Sequence, residues 1–214
     1  MIPKLITIPR MNSDFFNEEF IQKHTHLVCV STYRNGDAIP EAKTAAEWEA
    51  AGEQGKPAWC YYDNDPANGT KYGKLYNWYA VHDPRGLAPK GWHIPSDKEW
   101  TTLTDNLGGE NGAGTQMKSS NGWKNNGNGS NSSGFAGLPG GYRYSDGYFD
   151  YIGAFGYWWS SSEFSTNNAW YRYLTFNHGN VTRYYGYLTN KQSGFSVRCL
   201  RDQGTMDNGR LVAY

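Results

Sequence analysis

The residues of this chain best suited to chemistry are tyrosines and asparagines in its last quarter. Between residues 157 and 202, large anchor residues alternate with small polar or tyrosyl positions. A Tyr offers a large, stiff contact area at low entropy cost, and Asn, Ser, Thr and Gly add adaptable hydrogen bonds, a mixture typical of evolved paratopes. The stretch therefore predicts a recognition surface. The candidate ligand-binding residues are Asn167, Asn168, Tyr171, Tyr173, Asn177, His178, Asn180, Thr182, Tyr184, Tyr185, Tyr187 and Asn190.

Strands are expected to hold these side chains in place. In the sequences WYRYLTF and GFSVRCL, anchors recur at every second position, which is typical of half-buried strands. We therefore expect the tryptophans among the anchors to be buried: Trp158, Trp159 and Trp170. The tyrosines between the anchors are expected to be exposed: Tyr171, Tyr173, Tyr184, Tyr185 and Tyr187. Composition alone also leaves open an ordinary aromatic-rich β protein whose Tyr and Asn residues only solvate turns.

Composition favours one domain with a small N-terminal extension. A chain of 214 residues is long enough for one well-packed core. Its formal net charge is +0, with Lys+Arg 20 and Asp+Glu 20, and it has no basic stripe, so nucleic acid is not an expected partner. The 16% aromatic content, the 26 glycines and a mean hydropathy of -0.77 favour a loop-rich fold with an aromatic core.

The first 28 residues are predicted to form an extension that docks the domain or mediates oligomerisation. Phe15, Phe16 and Phe20 would give a predicted short helix a one-sided apolar stripe. Pro3 and Pro9 interrupt the short apolar pieces near the start, so no secretion signal and no membrane insertion are expected.

Two capping boxes predict helices. Thr44 is followed three residues later by Glu47, and Ser96 by Glu99, so that each pair can satisfy backbone donors at the start of a helix. Apolar residues at helical spacing place the second helix at about 97–107.

The segments between the helices contain turn and loop signals. Residues 110–134 are rich in Gly, Asn and Ser, which predicts a long surface loop pinned by Met117 and Trp123. A hairpin with its turn at 145–147 follows. The sequence DNDPANG at 63–69 predicts turns rather than a calcium site, because it lacks the bidentate acid at EF-hand spacing.

The cysteines and histidines form no catalytic motif. Cys29, Cys60 and Cys199 are too scattered for a disulfide framework, so we expect buried reduced thiols, with one bridge left open. His93, between Trp92 and Ile94, is expected to be a core imidazole with satisfied nitrogens. No GxSxG, HExxH or P-loop pattern occurs, and we predict no catalytic residue, metal or cofactor.

An ordered succession of motifs resembles a known family. The segments YRNGDAIP, YGKLYNWYAVHDPRGLAPKGWHIPSDKEW, GFAGLPGGYRYSDGYF, WWSSSE, AWYRYL and GFSVRCLRD are similar to the Fibrobacter succinogenes major paralogous domain over about residues 30–202. That family resembles the formylglycine-generating-enzyme branch of the C-type lectin fold. The resemblance implies an α+β domain at 29–202 in which two helices flank a small twisted antiparallel sheet with long loops, followed by a tail at 203–214.

The same branch includes the variable proteins of diversity-generating retroelements. In these proteins, mutagenesis directed at adenines scatters Asn, Tyr, Ser, Thr, Asp, His and Gly over one face while the anchors stay fixed. Residues 164–192 resemble such a region. The resemblance implies a non-enzymatic protein that binds a protein or glycan on a cell surface, in phage receptor binding or adhesion. A secretion signal is common in the family and none is expected here, so this departure from the family favours display on a phage virion, without Sec export, over secretion.

Two other functions remain open from the sequence. A formylglycine-generating oxidase needs redox-active cysteines close together. A structural subunit would use the tyrosine surface as a permanent interface, in a homo-oligomer or in a larger virion or surface assembly.

Overall fold

A computed structural model of the chain describes residues 30–184 and 190–202, together with the backbone of 25–27, 206–207 and 210–211. The predicted N-terminal helix with Phe15, Phe16 and Phe20 lies outside the described residues, as do Cys29, Tyr185 and Tyr187.

The fold is mixed α+β, as predicted. The helices are α1 (Ala45–Glu53), α2 (Pro66–Tyr72), α3 (Trp78–Val81), α4 (Asp97–Asn106) and α5 (Glu110–Met117), with 3₁₀ turns at Tyr62–Asn64 and Lys124–Asn126. The strands are β1 (Thr25–Leu27), β2 (Trp59–Cys60), β3 (Leu75–Tyr76), β4 (Trp92–His93), β5 (Gly140–Arg143), β6 (Phe149–Ile152), β7 (Phe155–Glu163), β8 (Ala169–Thr175), β9 (Thr182–Tyr184), β10 (Arg198–Arg201), β11 (Met206–Asp207) and β12 (Arg210–Leu211). In the described part of the chain, every helix is too short or too polar to cross a bilayer.

One five-stranded sheet dominates the architecture. Its order is β6-β5-β7-β8-β9, and its neighbours are antiparallel except for the parallel contact of β5 with β7. A second sheet has the order β1-β10-β4, and two-stranded pairs form between β2 and β3 and between β11 and β12. The predicted strand in GFSVRCL is shorter than expected, because regular pairing begins only at Arg198.

Both predicted capping boxes are confirmed. The Thr44 hydroxyl accepts a hydrogen bond from the Glu47 amide, and the Glu47 carboxylate accepts one from the Thr44 amide. Ser96 and Glu99 repeat this arrangement at the start of α4. These bonds satisfy amide groups that have no partner within the first turn.

The described residues contain five helices, more than the two that were expected to flank the sheet. The clearest omission is α5, which occupies part of the predicted loop at 110–134. Its Gly and Asn residues have low helix propensity, but Gly114 has a packing role there. A Cβ at Gly114 would lie 2.4 Å from the carbonyl oxygen of Asn180, so glycine lets the loop between β8 and β9 approach α5. The predicted burial of Met117 and Trp123 is confirmed.

Both faces of the five-stranded sheet contribute to packed clusters. On one face, Trp158 and Leu174 pack with Trp100, Leu103 and other residues of α4 and α5. The other face contributes to a second cluster, which includes aromatic side chains from several strands and loops: Tyr76, Trp78, Tyr142, Tyr157, Trp159, Tyr171 and Phe195. We call the face with Trp158 and Leu174 the helix face, and the face with Tyr157 and Tyr171 the aromatic face.

Candidate functional site

Strand register places the central tyrosines of the predicted site on one face. In β8, Tyr171 lies opposite Trp159 of β7 and Tyr184 of β9. Tyr173 lies opposite Tyr157 and Thr182 in the same way. Directly paired residues project to the same side of a sheet, so Tyr171, Tyr173, Thr182 and Tyr184 belong to the aromatic face.

Rings contact one another across all five strands of this sheet. We call this set the aromatic patch: Tyr142, Tyr144, Tyr151, Phe155, Tyr157, Tyr171, Tyr173 and Tyr184. Neighbouring ring centroids are separated by 4.4 Å for Tyr142 and Tyr144, 4.7 Å for Tyr151 and Phe155, and 5.5 Å for Tyr157 and Tyr173. The contact from Tyr171 to Tyr184, at 6.0 Å, extends the patch to β9. These distances are typical of favourable aromatic pairs.

The aromatic patch has a buried floor and a partly exposed rim. The floor consists of Tyr142, Tyr157 and Tyr171, all buried. The rim consists of Tyr144, Phe155 and Tyr173, which are half-buried, and of Tyr151 and Tyr184, which are 39% and 45% exposed. The buried floor rings support the rim rings from below. Because the rim is exposed to solvent, it is the part of the patch that a ligand can reach.

The prediction that Tyr171 is exposed is wrong. Tyr171 retains only 3% of its surface, because its ring packs against Phe195 and Trp159. The prediction that Trp170 is buried is also wrong. Trp170 is half-buried on the helix face, where the Arg183 guanidinium lies 3.7 Å above its ring. The period-two pattern correctly placed Trp170 and Tyr171 on opposite faces of the sheet. It could not predict their exposure, because exposure depends on which other residues cover each face.

The hydroxyls of Tyr142 and Tyr157 stay neutral at physiological pH because the pKa of each is raised. The pKa of Tyr142 is raised by burial and by a hydrogen bond with Tyr144. The pKa of Tyr157 is raised by burial and by the nearby hydroxyls of Tyr171 and Tyr173. A neutral phenol can both donate and accept a hydrogen bond, so the patch combines apolar ring surface with uncharged polar groups.

Tyr151 is held in an unfavourable backbone conformation. Its φ is +65°, a region that bulky residues rarely adopt. Asp150 lies opposite Tyr142 in the ladder of β5 and β6, so in a regular strand the next side chain would point to the other face. The left-handed backbone instead brings the Tyr151 ring to 5.8 Å from that of Tyr142, nearly parallel to it. Strain of this kind persists where the surrounding structure enforces it and is common at functional sites.

Three of the predicted polar residues lie beyond the N-terminal end of β8. Asn167 is exposed in the turn between β7 and β8, and Asn168 is half-buried beside it. The carbonyl oxygen of Asn167 accepts a hydrogen bond from the Lys191 amide, which brings half-buried Asn190 near this turn. These amides therefore form a group of their own.

Three other predicted residues lie beyond the opposite end of β8. Asn177, His178 and Asn180 are exposed in the loop between β8 and β9. The buried Lys118 ammonium donates hydrogen bonds to the carbonyl oxygens of Thr175 and His178, at 3.1 and 2.9 Å. A strand of seven residues separates the two polar groups by about 20 Å, so the structure does not bring all the predicted residues into one site.

The rim and floor residues of β5, β6 and β7 were missed as site residues from the sequence. Tyr142 and Tyr144, and also Phe155 and Tyr157, recur at period two before the proposed variable region begins. This period-two pattern was available, but no sequence signal showed that β5 and β6 would join the same sheet beside β7.

The helix face carries the charged groups of this part of the sheet. The Asp97 carboxylate, in the first turn of α4, binds Arg172 of β8 at 2.8 Å and Arg183 of β9 at 2.8 Å. Burial disfavours ionisation of Asp97, but the two guanidinium groups outweigh it and keep the pKa of Asp97 below its usual range. Arg172 and Arg183 therefore point away from the aromatic patch.

The expectation that His93 is a core residue is wrong. Its side chain is 39% exposed and lies between two carboxylates. Its Nε2 is 2.9 Å from Glu99 and its Nδ1 is 2.7 Å from Asp202. Bonds to Glu99 and Asp202 raise the pKa of His93. Burial opposes ionisation of Glu99, but bonds from His93 and Ser96 outweigh it and lower its pKa to about 2.

The predicted state of two cysteines is confirmed. Cys60 and Cys199 are free and buried, in different core clusters. Burial raises the pKa of each thiol to about 12, so neither forms a thiolate readily. Among residues 30–184 and 190–202, no cluster of three or more His, Cys, Asp or Glu side chains is arranged to hold a metal ion.

Comparison with known proteins supports the resemblance seen in the motifs. No curated protein and no solved structure matches the chain. Residues 27–201 match the Fibrobacter succinogenes major domain, which accounts for most of the 214 residues. The chain therefore belongs to the Fibrobacter succinogenes major domain family.

Proposed function

We propose that this chain is a non-enzymatic binding protein that recognises a ligand on a host cell surface through the rim of the aromatic patch. The observation that carries the proposal is a set of partly exposed rings supported from below by buried rings of the same sheet. A pre-organised surface loses little conformational entropy when it binds. Its natural setting is receptor binding or adhesion on a phage virion or another surface assembly, where many copies would add avidity.

The proposed scaffold is a C-type lectin-like fold of the formylglycine-generating branch. The α+β architecture with a small central sheet is compatible with it. The proposed variable region at 164–192 includes the exposed positions Asn167, Asn177, His178 and Asn180, where substitution would leave the core intact. Buried Tyr171 is a poor position for diversification, because a smaller residue would leave a cavity. A neighbouring reverse-transcriptase gene and a near-copy of this coding segment that differs chiefly at adenines would support diversification.

Two observations weigh against the oxidase alternative. Cys60 and Cys199 belong to different core clusters. Both thiols have a pKa of about 12, whereas reactive cysteines have a lowered pKa and access to substrate. A redox role would require one of them to leave its core position.

The proposal is tested by binding of labelled protein to a panel of Gram-negative and Gram-positive bacteria, measured by flow cytometry. The rim variant carries Tyr151→Asn and Tyr184→Ser, since these are the most exposed rings of the patch. The tip variant, Tyr148→Ser, is the matched control, because Tyr148 is 71% exposed in the turn between β5 and β6. We expect the rim variant to bind at least about tenfold more weakly than wild type and the tip variant to bind equally well.

Two results would contradict the proposed function. One is wild-type protein that binds no cell in the panel. The other is a sizing experiment in which the chain forms a tight oligomer whose interface protects the rim tyrosines from modification. That second result would favour the structural subunit.

A further inference from the structure

The size of the rim limits the kind of ligand it can hold. If an aromatic side chain has about 200 Å² of surface, the exposed fractions of the rim add up to on the order of 300 Å². A standard protein interface takes about 800 Å² from each partner. At about 4.8 Å between neighbouring strands, the patch extends about 19 Å from β6 to β9, which is the length of three or four sugar units. The described rim is therefore small for a protein partner and long enough for an oligosaccharide.

The chemistry of the rim matches that of a sugar ring. A pyranose has an apolar face of C–H groups and an edge of hydroxyls, and a tyrosine side chain combines an apolar ring with one hydroxyl. Centroid distances of 4.7 Å from Tyr151 to Phe155 and 6.1 Å from Phe155 to Tyr173 give a continuous ring surface. The phenol oxygens around it can donate and accept hydrogen bonds, as sugar hydroxyls do.

Charge on the aromatic face favours an uncharged ligand. Anionic groups are usually recognised by Arg or Lys donors, but Arg172 and Arg183 bind Asp97 on the helix face. Two lysines lie over rings of the aromatic cluster, Lys74 over Trp59 and Lys191 over Trp78, and both are buried. The Asp150 carboxylate lies close enough to Tyr151 to raise the pKa of that phenol, after the larger effect of Tyr144. A carboxylate beside the rim would repel a sialylated or sulfated ligand.

The backbone at Tyr151 indicates that its ring position matters. Asn or Gly would occupy a φ of +65° with less strain, yet the chain has a Tyr whose ring extends the patch to its outer strand. Asp150 Oδ1 accepts a hydrogen bond of 2.7 Å from the Tyr151 amide, which helps to hold this conformation. A ring fixed at the edge of the sheet would stack on the last sugar of a bound chain.

We propose that the ligand of the aromatic patch is a neutral oligosaccharide of three or four units that lies across the strands from Tyr151 to Tyr184. Its sugar faces pack on the rim rings, and its hydroxyls bond to the phenol oxygens. This inference rests on the proposed function, since it names the class of ligand for the same rim.

The direct experiment uses an array on which each neutral oligosaccharide is paired with its sialylated or sulfated form. We expect wild-type protein to bind neutral members at least as tightly as their anionic partners, with little change between about 0.05 and 0.5 M salt. The rim variant is expected to lose at least about tenfold in affinity, and the tip variant none. Tyr173→Phe keeps the half-buried ring and the fold but removes one hydroxyl, so its loss is expected to be smaller than that of the rim variant.

Treated cells separate failure of this inference from failure of the proposed function. Periodate cleaves the vicinal diols of sugars, so we expect periodate treatment of the cells to abolish binding. Cells treated with protease instead should still bind the protein. Binding that requires anionic sugars or falls steeply with salt would overturn the neutral-ligand inference. Rim-dependent binding that protease removes and periodate spares would overturn the glycan inference while the proposed function stands. Absence of binding to any cell or sugar would overturn both.

Discussion

The two faces of the five-stranded sheet differ in how far their side chains are covered, and strand β8 contributes side chains to both. On the helix face, Trp158 and Leu174 lie beneath α4 and α5, and Arg172 is locked to Asp97. On the aromatic face, Tyr171 is buried while its neighbour Tyr173 is only half-buried. On β8 and β9, the charged side chains lie on the helix face and the partly exposed tyrosine rings lie on the aromatic face.

Because of this difference, we expect residues of the helix face to contribute mainly to stability and residues of the rim mainly to ligand binding. The buried side chains of the helix face lose contacts on all sides when they are truncated, because helices cover them. Rim side chains of the aromatic face have solvent on one side, so their truncation removes less packing. Variants of the two faces should therefore differ in what they impair.

The largest expected effect is on the helix face. Trp158→Ala removes a ring that is almost completely buried, and we expect a loss of about 3–5 kcal/mol in the free energy of unfolding. Tyr184→Ser, on the rim, is the matched comparison and is expected to cost less than about 1 kcal/mol. Urea denaturation measures both. Similar losses at the two positions would contradict the distinction between the faces.

A smaller effect is expected from the arginines that share Asp97. The Arg172 side chain is 2% exposed and that of Arg183 is 39% exposed. Arg172→Met should cost about 2 kcal/mol, less than breaking an isolated buried pair, because Arg183 still neutralises Asp97. Arg183→Met should cost less than about 1 kcal/mol, as is typical of exposed pairs. Denaturation curves that rank the two variants in the opposite order would show that burial does not set their contributions.

Stability is expected to depend on pH through His93, whereas binding by the aromatic patch is not. The pKa of His93 is raised, so its stabilising contribution is complete below the unfolded value of about 6.5 and is lost as pH rises through the folded value. The pKa of Glu99 is lowered to about 2, so its contribution is complete above about 4.5 and is lost as pH falls toward about 2. Together they stabilise the fold most between about pH 4.5 and 6.5.

Thermal unfolding across this pH range checks the prediction. Wild-type Tm should fall above about pH 6.5, and His93→Gln should remove that part of the dependence. Rim binding should stay constant to about pH 9, because free phenols titrate near 10 and the nearby Tyr144 and Asp150 raise the pKa of the rim residue Tyr151. A His93→Gln curve parallel to that of wild type would contradict the assignment to His93.

The smallest expected change in stability is at Tyr151. Tyr151→Asn removes the ring but relieves strain at φ +65°, so we expect a net change within about 1 kcal/mol. Tyr151→Ala removes the same ring without that relief, because Asn adopts this region more readily. The Asn variant should therefore be more stable than the Ala variant by about 0.5–1 kcal/mol in urea denaturation. Equal stabilities would mean that the backbone strain is absent.

Local signals in the sequence predicted the parts of the fold that depend on local chemistry. The capping boxes at Thr44 and Ser96 were correct because capping involves residues three positions apart. The strand at WYRYLTF was correct because alternation is a property of the strand itself. Helix α5 was missed because its glycine at 114 is required by a contact with Asn180, which lies far along the chain.

The candidate site was less predictable for the same reason. Tyr171 and Tyr184 were recognised as one group with the polar residues, but the structure buries Tyr171 and separates Asn167 from Asn177 by the length of β8. Tyr151 joins the patch only because β5 and β6 extend the sheet. Exposure and proximity depend on long-range packing that residue types do not encode locally.

The most direct test of the central claim compares ligand binding by the rim variant with binding by a loop variant, in which Asn177→Ala, His178→Ala and Asn180→Ala are combined. Both variants should keep wild-type Tm within a few degrees, because the replaced side chains are mostly exposed. Flow cytometry on the same bound cells is expected to show loss of binding for the rim variant and retention for the loop variant. Retention by the rim variant and loss by the loop variant would contradict the account and place recognition in the polar loop.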